Sequence, residues 1–240
     1  MKIGIIGFGQ LGKFAAKHLK EKFEVFVADK FDKTKEAEEI GVEFVSLEEA
    51  ASKEIIIIAV PIGVFEKTLI KIKDFFKPGA LLLDVCSVKV KPAEAMKRLV
   101  RKDVEIIATH PLFGPQSGAD GIEGLKIVLC PVRTTRLEEV KKFLEDIGLK
   151  VIVATPEKHD KEMAKRAVLS HFIGRVLVEM KIEEGEITEP SFGKLIELRD
   201  MLKHDSWELV RDIQLNNPFG EEVREKFVKE VLRLKERLEE

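Results

Sequence analysis

The sequence predicts an α/β protein, a doubly wound and mainly parallel sheet over residues 1–155 followed by a smaller all-helical domain over 156–240. Three observations carry that prediction. Apolar, β-branched runs alternate with helix-patterned segments through the first two-thirds of the chain. Beyond Thr155-Pro156 no strand pattern remains, and apolar residues such as Met163, Ala167, Leu169, Ile173, Val176 and Leu177 recur at helical spacing. A length of 240 residues at 45% hydrophobic content leaves room for one large or two modest domains with a real core.

Taken in order, Lys2–Ile6 reads as a strand and leads directly into Gly7-Phe8-Gly9-Gln10-Leu11-Gly12, with a helix over 11–21 behind it. In such a G-x-G-x-x-G turn only glycine lets the backbone bend this tightly and approach a pyrophosphate this closely, while the helix N-terminus offers free N–H groups to the anion. Residues 23–28 form the next strand and put Asp29 at its end, where a dinucleotide-binding Rossmann unit carries a carboxylate for the adenosine ribose. Asp29 favours the ribose hydroxyls of NAD; Lys30 beside it keeps NADP open. Residues 55–60 are a continuous apolar run, as in a strand buried on both faces, and Pro61 ends it. A helix over 63–76, a strand over 80–85, a helix over 92–101 and a strand over 104–109 follow. Then come a strand over 126–130, a helix over 137–147 and a strand over 150–153. Helices over 157–180, 195–202, 207–215 and 221–238 complete the pattern.

Composition excludes several classes. Lys and Arg number 41 against 43 Asp and Glu, a net charge of −2, which gives no case for a nucleic-acid or membrane partner. No apolar run approaches the length of a membrane span. The two cysteines, Cys86 and Cys130, read as reduced thiols, and no ligand cluster has metal-site spacing. With no signal-peptide pattern at the start, a cytoplasmic location is expected. A helical domain this small would bury its apolar faces better as a homodimer.

Ligands of open α/β sheets bind outside the carboxyl ends of the strands. Here those ends carry the glycine turn, Asp29, Val60-Pro61, Cys86-Ser87 and Thr109-His110-Pro111. The turn residues Gly7, Phe8, Gly9, Gln10, Leu11 and Gly12, with Asp29, Val60 and Pro61, are the candidate cofactor site. Ser87 and His110 are the candidate chemistry, because histidine is the commonest general base near neutral pH and serine orients a hydroxyl or the base. From position alone, a helix cap at Ser87 and a turn histidine before proline at His110 explain them equally well.

The local sequence goes further. His110-Pro111-Leu112-Phe113-Gly114-Pro115-Gln116-Ser117-Gly118 resembles the His-Pro-(Met/Leu)-Phe-Gly-Pro-x-Ser-Gly segment of the prephenate dehydrogenase family, above all the dehydrogenase module of the chorismate mutase–prephenate dehydrogenases. Asp84-Val85-Cys86-Ser87-Val88-Lys89 is similar to that family's Asp-x-x-Ser-x-Lys stretch. Glu157-Lys158-His159-Asp160 resembles its Glu-His-Asp helix start with one residue inserted, and Leu169-Ser170-His171-Phe172 its second histidine segment. The resemblance implies NAD-linked oxidation and decarboxylation of prephenate to 4-hydroxyphenylpyruvate, in tyrosine biosynthesis, by a dimer joined through the helices. It implies His110 as the base for the ring hydroxyl, Ser87 as its hydrogen-bond partner or that of the hydroxyl, and His171 closing over the substrate. His159 is expected in a supporting role.

Two departures stand out: Gly174 occupies a place where many relatives carry a further histidine, and Arg199 and Lys194 compete as the cation for a substrate carboxylate, with Gly193 or Glu197 at the matched positions. Arogenate, with an amino group in place of the side-chain ketone, is the alternative substrate, and Glu197 is the acid that would favour it. A non-catalytic dinucleotide-binding sensor is the alternative of a different class; Ser87 and His110 at neighbouring strand ends weigh against it.

Overall fold

Four successive isoleucines, Ile55–Ile58, make β4, a strand buried on both faces near the centre of the sheet in the computed structural model, which describes residues 1–240. The other strands are β1 (Lys2–Ile6), β2 (Glu24–Ala28), β3 (Glu43–Phe44), β5 (Leu81–Asp84), β6 (Glu105–Pro111), β7 (Lys126–Arg133) and β8 (Lys150–Val153). They lie in the order β3-β2-β1-β4-β5-β6-β7-β8, and every neighbouring pair is parallel except β6 with β7. The expected doubly wound, mainly parallel sheet is present. Alternation along β4 splits the core: Ile56 and Ile58 join one cluster with Phe65, Leu69 and Met96, and Ile55 and Ile57 join the other with Ile3, Ile5 and Phe8.

Helices α1 (Gln10–Leu19), α2 (Thr34–Ile40), α3 (Leu47–Ala51), α4 (Ile62–Ile72), α5 (Val90–Leu99) and α6 (Leu137–Asp146) complete this unit, with a 3₁₀ turn over Lys73–Phe75 after α4. The sequence reading had no element between Asp29 and β4. There α2, β3 and α3 have seven, two and five residues, too short for any periodicity to register. A second difference bears on the site. β6 runs two residues past its expected end because β7 returns antiparallel alongside it, pairing His110 with Val128 and Pro111 with Ile127. His110 is therefore a strand residue, not a turn residue.

The chain divides into two compact units, Met1–His159 and Asp160–Glu240, with the division inside α7 (Pro156–Met163), where the sequence reading put it at 155/156. Thr155 starts that helix: its Oγ1 accepts from Lys158 N–H at 3.1 Å and its carbonyl from His159 N–H at 3.0 Å, with Pro156 next to it at a position that needs no donor. A π-helical turn over Ala164–Val168 leads from α7 into α8 (Leu169–Glu179). Then come α9 (Pro190–Leu202), α10 (Trp207–Asn216), capped by Ser206 Oγ on Leu209 N–H at 3.1 Å, and α11 (Gly220–Glu239).

The second unit is all-helical, as expected. Its core gathers Ala164, Val168 and Ile213 with Phe219 and Val223. Gly174 is buried on α8, and a Cβ there would fall 2.3 Å from Leu202 Cδ1, so a larger side chain would have to displace the Leu202 side chain of α9. On α11 the apolar residues Val228, Val231, Leu232, Leu234 and Leu238 are exposed. No helix is long and apolar enough to cross a membrane.

One close approach sets the packing of α3 on β1: a Cβ on Gly4 would stand 1.9 Å from the Ala50 carbonyl oxygen, a backbone atom that cannot rotate away. Gly4→Ala is expected to destabilise the first unit by about 1–3 kcal/mol through overpacking, read as a lowered Tm in a thermal melt.

Candidate active site

The parallel run β2-β1-β4-β5-β6 brings the carboxyl ends of five strands to one edge. At β1 the three glycines do different work. Gly7 has φ +99°, and a Cβ on it would meet the Ala59 carbonyl oxygen at 2.4 Å. A Cβ on Gly12 would meet the Gly7 carbonyl oxygen at 2.0 Å, so this glycine lets α1 start hard against the turn. Gly9 is different, because nothing lies within 4 Å of a Cβ built there. Its side is open. As the N-cap of α1 it makes no side-chain capping bond, so the first-turn N–H groups of α1, which have no intrahelical acceptor, have no side-chain cap from it and suit an anion.

Of the other residues expected here, Phe8 turns its ring into the core and can offer only its backbone, and Gln10 is exposed. Leu11 lines an apolar cavity of about 370 Å³ flanked by α1 and α6, so it too would meet a ligand through its amide. Asp29, half-buried at the end of β2, accepts from Phe8 N–H at 2.7 Å and Phe31 N–H at 3.1 Å, which ties the glycine turn to the second strand. Lys30 carries its ammonium 4.7 Å from the Phe31 ring centroid. Val60 packs beside Gly7, and Pro61 is exposed at the start of α4. These residues form an open cradle that fits a dinucleotide pyrophosphate.

Three strands along the edge, β5 and β6 are locked by buried polar groups that the sequence reading left without a role. Asp84 and Lys89 have no exposed side-chain surface and form an ion pair. Lys89 Nζ also donates to the Thr109 carbonyl oxygen, Asp84 accepts from the N–H groups of Cys86 at 3.0 Å and Thr109 at 3.1 Å, and Thr109 Oγ1 donates to the Asp84 carbonyl oxygen. The signal for this network was the Asp-x-x-Ser-x-Lys spacing itself. It holds the backbone on both sides of the half-buried Ser87 and immediately ahead of His110. The segment after His110 is anchored in turn: the Phe113 ring meets Phe14 edge-on at 6.1 Å between centroids, and Ser117 Oγ accepts from Gly114 N–H at 2.9 Å.

His110 itself is buried, and its Nδ1 lies 2.8 Å from Nε2 of the equally buried His159. Burial pushes the His110 imidazole well below its ordinary value, and the Lys89 ammonium and then His159 push it the same way. The ring is thereby biased to its neutral form, the form that accepts a proton.

The remaining candidates lie in the second unit and make their own groups there. His171 Nδ1 is 3.5 Å from Asp205 Oδ2; burial lowers the His171 pKa, opposed by Asp205, and raises that of Asp205. Arg199 donates to Asp200 Oδ1 at 2.8 and 2.6 Å and to the Ile182 carbonyl oxygen, and the exposed Lys194 pairs with Glu197 at 3.0 Å. His18 Nδ1 donates to the Phe14 carbonyl oxygen at 2.9 Å, and His204 is exposed.

An open anion cradle, an acidic strand end and a buried histidine on one sheet edge, followed by a helical unit, define a dinucleotide-binding α/β protein of dehydrogenase architecture. Residues 15–153 match the family description "Prephenate dehydrogenase, nucleotide-binding domain", and residues 155–240 match "Prephenate dehydrogenase, dimerization domain". The chain belongs to the prephenate dehydrogenase family. It is 34% identical to the "Probable arogenate/prephenate dehydrogenase" of Methanocaldococcus jannaschii over 98% of its own length and 56% of the relative's. It is 31% identical to "Arogenate dehydrogenase 1, chloroplastic" of Arabidopsis thaliana over 95% of its length and 37% of the relative's. The chain thus spans about half the length of these curated relatives, or less. Among solved structures, it shares its fold with prephenate dehydrogenase from A. aeolicus in complex with hydroxyphenyl propionate and NAD+, at TM-score 0.78 and 23% identity, covering 99% of this chain and 90% of that one. Synechocystis arogenate dehydrogenase follows at TM-score 0.73 and 24% identity, covering 100% and 93%.

The buried histidine has a thermodynamic consequence. Because the His110 pKa is lower folded than unfolded, the unfolded chain binds more protons as pH falls through the ordinary histidine value of about 6.5. Stability is therefore complete above that value and declines below it. His171, shifted the same way, adds to the slope. Thermal melts between about pH 7 and pH 5 are expected to show Tm falling with pH, and His110→Asn is expected to flatten that dependence.

Proposed function

We propose that this protein catalyses the NAD-dependent oxidative decarboxylation of prephenate to 4-hydroxyphenylpyruvate, as a cytoplasmic homodimer joined through its helical unit. The observation that carries the reading is the buried, neutral-biased His110 at the end of β6, one strand from Ser87 and on the same sheet edge as the glycine cradle. The open side of Gly9, the uncapped first turn of α1 and Asp29 at the end of β2 support binding of the cofactor's pyrophosphate and ribose there. NAD, when bound, supplies the acceptor for the hydride that leaves the hydroxyl-bearing ring carbon. His110 takes the hydroxyl proton at Nε2 as that carbon becomes electron-poor, and Ser87 hydrogen-bonds the hydroxyl or the His110 ring. The ring carboxylate leaves as carbon dioxide, the ring becomes aromatic, and the proton returns from His110 to the phenolate oxygen. A base whose charged form is disfavoured by burial and by Lys89 gives that proton back readily. His171 is proposed to close over the substrate, and one of Arg199 and Lys194 to hold a substrate carboxylate.

Arogenate is the second reading, and one observation favours it: both candidate cations already hold a carboxylate on their own helix, Arg199 with Asp200 and Lys194 with Glu197. A keto-acid side chain needs a free cation at that end, whereas an ammonium does not. The two Arabidopsis thaliana relatives named for arogenate support this alternative.

Purified protein is expected to reduce NAD when given prephenate, with a lower kcat/KM on arogenate and with NADP. The reverse substrate order assigns arogenate, and preference for NADP means Lys30 outweighs Asp29. His110→Asn is expected to lower kcat by about 10²–10⁴ while cofactor affinity holds; near-normal turnover removes His110 as the base.

The dimer is supported by the exposed apolar residues of α11. Sedimentation at micromolar concentration should give twice the 27.2 kDa chain mass, and a monomer throughout that range would exclude it.

A further inference from the structure

We propose that His159 is a positioning residue for His110: its Nε2 accepts the His110 Nδ1 proton and so holds His110 in the tautomer whose Nε2 carries the free lone pair. The inference rests on the reading of His110 as the base.

The geometry allows only two arrangements of the pair. With Nδ1 of His110 and Nε2 of His159 2.8 Å apart, one nitrogen donates and the other accepts. If His159 donates, His110 is protonated at Nε2 and is useless as a base at that atom. If His110 donates, its Nε2 is free. Which nitrogen of an imidazole carries the proton is set by the bond the other one makes, so the partner at Nδ1 decides competence.

The partner is itself built in. Thr155 and Pro156 fix the start of α7, which puts His159 in its first turn, and the ring stands at 72° to that of His110 with centroids 5.0 Å apart. Both rings are buried. On the other side, Lys89 pins the Thr109 carbonyl, the peptide group that leads into His110. His110 is thus held at its backbone by one buried group and at its ring by another.

An imidazole in this place does something a carboxylate would not. A carboxylate at Nδ1 would also fix the tautomer, but would stabilise the imidazolium once the proton is taken. A second imidazole supplies direction without that added charge. This suits a step in which the proton is taken as hydride leaves and is handed back to the phenolate.

The test uses the full chain labelled with ¹⁵N-histidine, whose five histidines are resolvable by long-range ¹H–¹⁵N spectra. The wild-type protein is expected to show His110 protonated at Nδ1. His159→Phe keeps a ring and removes the acceptor, and is expected to move His110 to the Nε2–H form or a mixture. It should also lower kcat about tenfold to a hundredfold, part of the effect of a positioned base, with little change in KM. His159→Gln keeps an acceptor oxygen and should restore both the tautomer and most of the rate. A wild-type His110 protonated at Nε2, an unchanged tautomer in His159→Phe, or its loss in a folded His159→Gln would overturn the proposal. The spectra need no turnover. A protein that shows the expected tautomers but oxidises neither prephenate nor arogenate would count against the dehydrogenase reading and leave the pairing intact.

Discussion

The buried ion pair between Asp84 and Lys89 is the constraint on which the rest of the sheet edge depends. Two charges with no exposed side-chain surface are tolerable only when each is matched and every remaining lone pair or proton is used. Here they are used on backbone: Asp84 on the N–H groups of Cys86 and Thr109, Lys89 on the carbonyl of Thr109. The ends of β5 and β6 therefore cannot move independently, and Ser87 and His110 inherit their places from that tie. Its charge is also felt, because the Lys89 ammonium adds to burial in holding His110 neutral.

The opposite end of the edge follows another logic. Around Gly7 and Gly12 the protein's own backbone fills the space that a side chain would need, whereas beside Gly9 nothing fills it. Two glycines serve the fold, and the third leaves open the space where the cofactor is proposed to sit. The bond from Phe8 N–H to Asp29 adds that the turn is held by the same carboxylate expected to meet a ribose, so the proposed cofactor binding and the turn geometry would share one side chain.

Much of this was legible in the sequence, for identifiable reasons. The run Ile55–Ile58 can scarcely be anything but a strand buried on both faces, and the glycine turn, Asp29 and His110 fall at strand ends whose order follows from alternation. Elements of two to seven residues between Thr34 and Ala51 left no period to detect. The extension of β6 through His110 was hidden because antiparallel pairing with β7 is decided by a segment more than a dozen residues away. The Asp84 network and the His110–His159 contact were hidden for the same reason. Spacing named the residues, but only the strand register and the start of α7 bring them into bonding distance.

The π-helical turn over Ala164–Val168 has a consequence for how this chain tolerates change in length. An α-helix advances about 100° per residue, so one residue accommodated in a wide turn rotates everything after it by roughly that angle. The buried positions Ala164 and Val168 lie within it and Gly174 and Leu177 follow it, so which side chains α8 turns inward depends on that rotation. A single-codon deletion here would leave the helix continuous and its composition almost unchanged. It would nonetheless turn His171 and Arg175 away from Asp205 and Trp207, making this turn a phase-setting insertion in the second unit.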